Sequence, residues 1–344
     1  MKEIATTEAV GHVLCHDVTQ IIRGEKKGPA FRKGHVIRKE DIPVLLSMGK
    51  DHLYVWEKKE GILHENEAAQ ILCEICRNEY MEPSEVKEGK IELRATVDGL
   101  LKIRKEGMMA VNLLGEMMIA SRHNNTMVKQ GDVLAGTRII PLVIEEEKMK
   151  KAKEAAGGEP LLKLIPIQKK NVGIVTTGNE VYYGRIQDTF TPVVKEKIEE
   201  FGSAVTMECL VGDEKEKIRD AILDMIEKGA QMVVCTGGMS VDPDDRTPGA
   251  ITDTGARVVT YGAPVLPGAM LMVAYYKKKD GSEIPVLGLP GCVMYAKRTI
   301  FDLVLPRLLA DDPITREEIA QLGVGGLCLN CPVCSFPNCG FGKA

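Results

Sequence analysis

Four cysteines lie close together near the end of the chain, Cys328, Cys331, Cys334 and Cys339, separated by two, two and four residues. Spacing this short lets a chain fold back with its sulfurs facing one centre, and Pro332 and Pro337 limit how it can turn. Three chemistries use such a set. One is a structural zinc, and a second is an iron–sulfur cluster of ferredoxin-like spacing with one extra residue before the last thiolate. The third is free thiols used for redox or sulfur transfer. The segment is poor in apolar residues, so metal-coupled folding, and a flexible tail without metal, are expected.

A second set sits in the run Thr236-Gly237-Gly238-Met239-Ser240-Val241-Asp242-Pro243-Asp244-Asp245-Arg246-Thr247-Pro248. Glycines let backbone amides approach an oxyanion, and Thr247-Pro248 reads as the N-cap and N1 pair of a helix whose amide end favours phosphate. Adjacent carboxylates beside a phosphate need a cation, so Asp244 and Asp245 point to a divalent metal or to acid/base work; the alternative is a solvated acidic turn. Two further glycine-centred loops share the pattern: Thr177-Gly178-Asn179-Glu180 with Asp188-Thr189, and Gly288-Leu289-Pro290-Gly291-Cys292. Elsewhere, Cys15-His16-Asp17 resembles a nucleophile set, but three consecutive residues of a strand cannot all face one site. Cys73 and Cys76, three apart on a helix, read as core.

The elements that must carry these loops follow from periodicity. After Asn171, short apolar runs alternate with amphipathic segments: strands at Val172 to Thr176, Ala204 to Val211 and Met232 to Cys235. The helices between them carry Val194, Ile198 and Phe201, then Ile218, Ile222, Met225 and Ile226, with Thr191-Pro192 and the Asp213/Glu216 pair as their caps. This predicts an α/β domain, a parallel sheet sandwiched by helices, with ligands bound beyond the carboxyl ends of its strands. Smaller β-containing modules precede it. A module over 1–60 carries a helix at Asp41 to Met48. Over 61–168, a helix from Asn66 (N-cap) to Tyr80 leads into β-type runs, Met109 to Leu113 among them, that suggest a small barrel or sandwich, then a linker. The α/β domain spans 169–310 and the cysteine-rich tail 311–344.

The chain has 344 residues with 44% hydrophobic and 27% charged, the composition of a globular protein with several domains. Its 45 basic and 49 acidic residues leave a net charge of −4, and aromatics are 4% with one tryptophan, Trp56. No basic field or stacking platform for nucleic acid is indicated. The absence of a long apolar run or leader predicts a cytoplasmic protein without a membrane partner, and clustered cysteines suit a reducing compartment.

Taken together, Thr177-Gly178-Asn179-Glu180, Thr236-Gly237-Gly238 with Ser240 and Asp245, and Gly288-Leu289-Pro290-Gly291 resemble the molybdopterin-binding domain shared by molybdopterin adenylyltransferases and molybdopterin molybdotransferases, over about residues 170–310. The resemblance implies binding of molybdopterin or its adenylate by Thr177, Gly178, Asn179, Asp188, Thr236, Gly237, Gly238, Ser240, Thr247, Pro290 and Gly291. It implies catalytic roles for Asp245, Asp244 and Glu180, with Mg²⁺ and molybdate as co-reactants. A homo-oligomer and a cofactor-receiving molybdoenzyme partner follow from it as well. The chain departs from the insertase pattern: Leu266-Pro267-Gly268-Ala269 carries no lysine, Gly291-Cys292-Val293 replaces Gly-Asn-Pro, Phe190 replaces an asparagine, and only about 35 residues follow Leu309 where a further β domain is usual. The Asp244-Asp245-Arg246-Thr247 run also resembles the competence-damage-inducible family, which includes nucleotide (ADP-ribose type) pyrophosphatases. A non-catalytic pterin carrier or regulator is the third reading.

Overall fold

The computed structural model describes residues 2–22, 26–55 and 60–343, so Trp56 lies outside the described residues. The chain separates into two compact units, one of residues 1–96, 103–122 and 131–163 and one of residues 97–102, 123–130 and 164–344.

In the first unit, strand Lys2–Ala5 pairs antiparallel with His52–Val55, and Ile4, Leu14, Val18, Ile37, Leu45, Leu53 and Val55 form a small core. The helix Asp41–Ser47 supplies Leu45 as read from sequence. Further along, the strands Met81–Pro83, Lys90–Ala95, Val133–Ile139 and Met117–Ser121 form one antiparallel sheet in that spatial order, against which the helix Glu65–Cys76 packs. The stretch is β-rich as expected, with a further three-stranded sheet of Thr126–Val128, Gly99–Ile103 and Leu162–Pro166 in that order. The run Met109 to Leu113, expected as β, is instead helical up to Asn112, within Lys105–Asn112: a single inward residue, Val111, is enough once Asn112 bonds the backbone of Ile119 in both directions. The helix expected to start at Asn66 is capped by His64, whose Nδ1 accepts from the Asn66 amide, and it ends at Cys76. Cys73 and Cys76 are core, and Cys15 is fully buried, so burial pushes all three thiols up and away from nucleophile chemistry.

The second unit is built on a six-stranded sheet. Its strands are β1 (Asn171–Thr177), β2 (Ala204–Val211), β3 (Met232–Thr236), β4 (Arg257–Tyr261), β5 (Met272–Lys277) and β6 (Glu283–Leu289), in the spatial order β2-β1-β3-β6-β5-β4. The first four in that order run parallel, while β5 pairs antiparallel with β6 and with β4, so the sheet is mixed rather than wholly parallel. Central strands β1, β3 and β6 are buried almost end to end, as a sheet covered on both faces requires.

Strand alternation divides the core in two. Val172, Ile174, Met232, Val234, Leu287 and Leu289 face α1 (Phe190–Glu199) and α4 (Ile300–Leu309). Val175, Val233, Cys235, Met272 and Val286 face α2 (Lys215–Glu227) and α3 (Thr247–Asp253). Each fully buried aliphatic side chain contributes about 1.5–3 kcal/mol, which makes these two layers the dominant stabilising term. Two expected caps differ. Helix α1 begins at Phe190 because the Asp188 carboxylate accepts from the amides of both Phe190 and Thr191, and Asp213 is drawn away from α2 to the amide of Asn179.

The tail is ordered against this unit, which corrects the expectation of a segment unable to order itself. Phe341 is 4% exposed in the α1/α4 core, and Phe336, Cys328 and Cys339 pack on the same layer. Backbone bonds from Cys328 to Leu266 (2.8 Å), Leu266 to Gly326 (2.8 Å) and Gly342 to Gly325 (2.9 Å) fasten it. The apolar surface it lacks is supplied by the domain. At the start of this stretch, α5 (Arg316–Gln321) is held by the buried Arg307, which donates to Glu318 at 2.9 Å and also pairs with Asp312. Partial burial pushes the Glu318 carboxyl up, but the Arg307 hydrogen bond and charge outweigh it and hold the group below the usual carboxylate range.

A depressed carboxyl stabilises the fold above its unfolded pKa and loses that contribution as pH falls through the folded value. Urea midpoints measured between neutral pH and acid should therefore fall for the parent, while Glu318→Gln starts about 1–2 kcal/mol lower at neutral pH and lacks this part of the acid slope. Parallel curves would show that the pair contributes nothing.

Candidate functional site

The register of the sheet brings three loops to one edge. Thr176 stands opposite Thr236, and Thr236 opposite Leu289, so β1, β3 and β6 end at one level and release their loops on the same side. Thr177 and Thr247, 3% and 0% exposed, share a hydroxyl–hydroxyl bond of 3.1 Å, and Thr247 Oγ1 also donates to the Gly237 carbonyl at 2.9 Å. Thr247 is thus a buried strut between loops rather than the side-chain cap of α3, whose N-cap position is Arg246.

The glycines of the central loop are required by this strut. Gly237 has φ +85° and a Cβ there would stand 2.2 Å from the Thr177 carbonyl oxygen; at Gly238, φ is +57° and a Cβ would stand 2.8 Å from Thr247 Oγ1. Among the described residues, the amides of Gly238, Met239 and Ser240 donate to no acceptor of the chain. Tyr261 on β4 holds the loop from the other side, its hydroxyl donating to the carbonyls of Met239 (3.0 Å) and Ser240 (3.1 Å). Burial and the charge of Asp245 push the Tyr261 hydroxyl up, which keeps it a donor. Beneath the loop, Cys235 is fully buried and its thiol is pushed up to about 12, so it takes no part as a thiolate. Thr236 Oγ1 is buried with no partner among the described residues.

Gly178, buried with φ +131°, turns the first loop so that the Asn179 amide donates to Asp213 Oδ2 (2.8 Å) while the Asn179 side chain accepts from the Asp213 amide (3.3 Å). Asn179 is therefore a clamp between the ends of β1 and β2. Asp188 has both oxygens engaged, one by the α1 amides and the other by Thr176 Oγ1 at 3.5 Å. The Thr189 hydroxyl approaches the sulfur of Met294 at 3.0 Å, joining this loop to the third one, where Pro290 is buried and Gly291 exposed.

The acidic residues are less concentrated than their sequence suggests. Asp245 is half-buried and accepts from the amide of Asp242 at 3.0 Å, whereas Asp244, Glu180 and Ser240 are exposed. Among the described residues no group of three or more His, Cys, Asp or Glu side chains is gathered to hold one metal ion. Of the pair Asp244 and Asp245, read as metal or acid/base groups, one is thus folded onto its own loop and the other faces solvent. Nor are the four tail sulfurs collapsed onto one point, since Cys331 and Cys334 are exposed while Cys328 and Cys339 pack on the core.

Three residues were missed by sequence reasoning. Asp213 imitates a helix cap, Tyr261 lies on a strand with weak alternation, and Arg246, exposed and without an ion pair among the described residues, is hidden among acids. Only Arg246 had a visible signal: it is the one cation in the central loop.

Residues 173–310 match a family model described as "Probable molybdopterin binding domain". This segment belongs to the molybdopterin-binding domain family. A domain of unknown function, DUF8806, matches residues 3–57. Among curated proteins, the chain is similar to one named as a competence-damage inducible protein in Bacillus cereus (strain AH187), 29% identical over 113 residues, 33% of this chain and 26% of that one. A protein of the same name in Bacillus anthracis (strain CDC 684 / NRRL 3495) shows the same figures, so the chain spans about a quarter of the length of these relatives. Among solved structures, the tungsten cofactor synthesizing protein MoaB from Pyrococcus furiosus is 20% identical, with 41% of this chain and 88% of that one covered and a TM-score of 0.32. The molybdopterin biosynthesis enzyme MoaB from Thermus thermophilus is 21% identical, with coverage of 42% and 98% and a TM-score of 0.33. No helix among the described residues is long and apolar enough to cross a membrane.

The loop of the molybdopterin-binding domain depends on Gly237. Gly237→Ala should cost about 1–3 kcal/mol in thermal unfolding, through positive φ and the clash with Thr177. Tyr261→Phe should cost about 1 kcal/mol and speed amide exchange at 238–242. A Gly237→Ala protein of unchanged stability would contradict the geometry described.

Proposed function

We propose that the molybdopterin-binding domain takes molybdopterin or its adenylate by the phosphate at the 237–240 loop and that the protein works in molybdenum cofactor biosynthesis, at or near molybdate insertion. The observation that carries this reading is the set of unpaired amides at Gly238, Met239 and Ser240, held open at the edge where three loops meet. A phosphate there would accept from these amides, with Arg246 as the cation and Ser240 as a hydroxyl donor. Thr177, Gly178, Thr236 and Thr247 shape the floor; Asn179 and Asp188 position the first loop, and Pro290 and Gly291 bound the crevice from the third.

Asp242, Asp244 and Asp245 would repel a phosphate brought alone. Mg²⁺ is bound by one or two carboxylates together with substrate phosphates, so an incomplete carboxylate set fits a cation that arrives with the ligand. Asp245 and Asp244, with Glu180 in support, are the groups to hold that cation and the reacting molybdate. When bound, the cation supplies charge stabilisation at the reacting oxyanion. The reading includes a cytoplasmic homo-oligomer that passes its product to a molybdoenzyme.

A second reading rests on the likeness to the competence-damage inducible proteins: hydrolysis of a nucleotide pyrophosphate of the ADP-ribose type at the same loop, with Asp244, Asp245 and Arg246 in the same roles. The absence of lysines around Leu266-Pro267-Gly268-Ala269 favours a pterin carrier that binds without turnover.

Calorimetry with adenylated molybdopterin should show Mg²⁺-assisted binding. Arg246→Ala should weaken it about tenfold, the value of one charge-assisted contact. Asp245→Asn should lower turnover far more than affinity if the carboxylate acts in the transition state. Tight binding of ADP-ribose with hydrolysis would overturn the insertase reading, and cofactor binding without any turnover would establish the carrier.

A further inference from the structure

We infer that the four tail cysteines hold an iron–sulfur cluster within a cavity of the second unit. Cys328, Cys331, Cys334 and Cys339 all line one cavity of about 510 Å³, walled also by Leu327, Phe336, Phe341, Tyr295 and Arg298. The four cysteines therefore border one volume instead of gathering at a point. That distinction selects the ligand. A zinc ion draws four sulfurs to about 2.3 Å from one centre, and no three ligating side chains among the described residues are so gathered. A four-iron cluster instead takes one thiolate at each iron around a core of iron and sulfide, so its thiolates stand apart around a space.

The surroundings suit thiolates. The Arg298 guanidinium, on the cavity wall it shares with Cys334, is anchored by Asp302 at 2.9 Å and lies 4.9 Å from the centre of the Phe336 ring. Lys297 donates to the Pro332 carbonyl at 3.3 Å and Lys343 to that of Pro337, so cations flank the segment on two sides. Positive charge at the cavity wall offsets the negative charge of a cluster ligated by four thiolates. Phe336 and Phe341 close the inner wall against water, a condition that tunes and protects a cluster. The exposed Cys331 and Cys334 leave the outer side open for loading. On loading, four thiol protons leave to solvent, four iron–thiolate bonds form, and ferrous and ferric ions with inorganic sulfide are the co-reactants.

The cavity begins where the third strand-end loop ends: Gly291–Met294 is followed directly by Tyr295 to Arg298 on the cavity wall. The inference needs no bound pterin, so its failure and that of the pterin reading are distinguishable.

The full chain, purified anaerobically, is incubated with iron salts, sulfide and a thiol reductant, then desalted and assayed for iron, acid-labile sulfide and visible absorption. About four irons and four sulfides per chain, with the broad brown absorption of a cluster, are expected. The exposed positions can be changed without opening the core, so Cys331→Ser and Cys334→Ser should each reduce bound iron to below about half, while Cys209→Ser, on β2, should retain it. No iron uptake, uptake unchanged in the Cys331→Ser/Cys334→Ser double variant, or retention of one colourless zinc per chain in place of iron would each overturn the assignment.

Discussion

Thr247 ties two loops of different origin into one floor: its hydroxyl meets Thr177 at the end of β1 and the Gly237 carbonyl at the end of β3. These bonds are buried, so leaving either hydroxyl unpaired carries a desolvation cost, and the arrangement is specified rather than merely allowed. Everything above the floor follows from it. The close approach forces glycine at 237 and 238, positive φ at both turns the following amides outward, and Tyr261 secures the loop at the two carbonyls that remain.

The floor is level because the sheet is. Parallel pairing of β1, β3 and β6 in register, with both faces packed by helices, ends three strands together at one edge. The antiparallel strands β5 and β4 extend the same sheet, and β4 is what places Tyr261 beside the loop. The cysteine segment depends on the same core at one remove, since Phe341 enters the α1/α4 layer and the chain between Cys328 and Cys339 is carried across the surface by that anchor.

Charge is arranged differently at the two places. The glycine loop sets open amides and one arginine beside three aspartates, whereas the cysteine cavity has Arg298 on one wall with four thiols and Lys297 bonded to the Pro332 carbonyl.

Local pattern alone determined the strands β1, β2, β3 and β6, the inward faces of α1 and α2, and the three glycine loops at strand ends, because buried strands and amphipathic helices write their periods directly into residue order. It also determined the family of the 173–310 segment, through the residue types of its three strand-end loops. Caps and clamps were decided by tertiary structure. Asp188 displaced Thr191 as the cap of α1, and Asp213 left α2 for Asn179, because a carboxylate takes whichever amide the fold presents and sequence spacing does not say which one that is. The helix through Met109 was decided the same way, by the Ile119 backbone that Asn112 bonds. The tail was misread for the most physical reason: its own apolar content is too small to order it, and the surface that completes it, the layer around Phe341 and Leu303, belongs to another part of the chain.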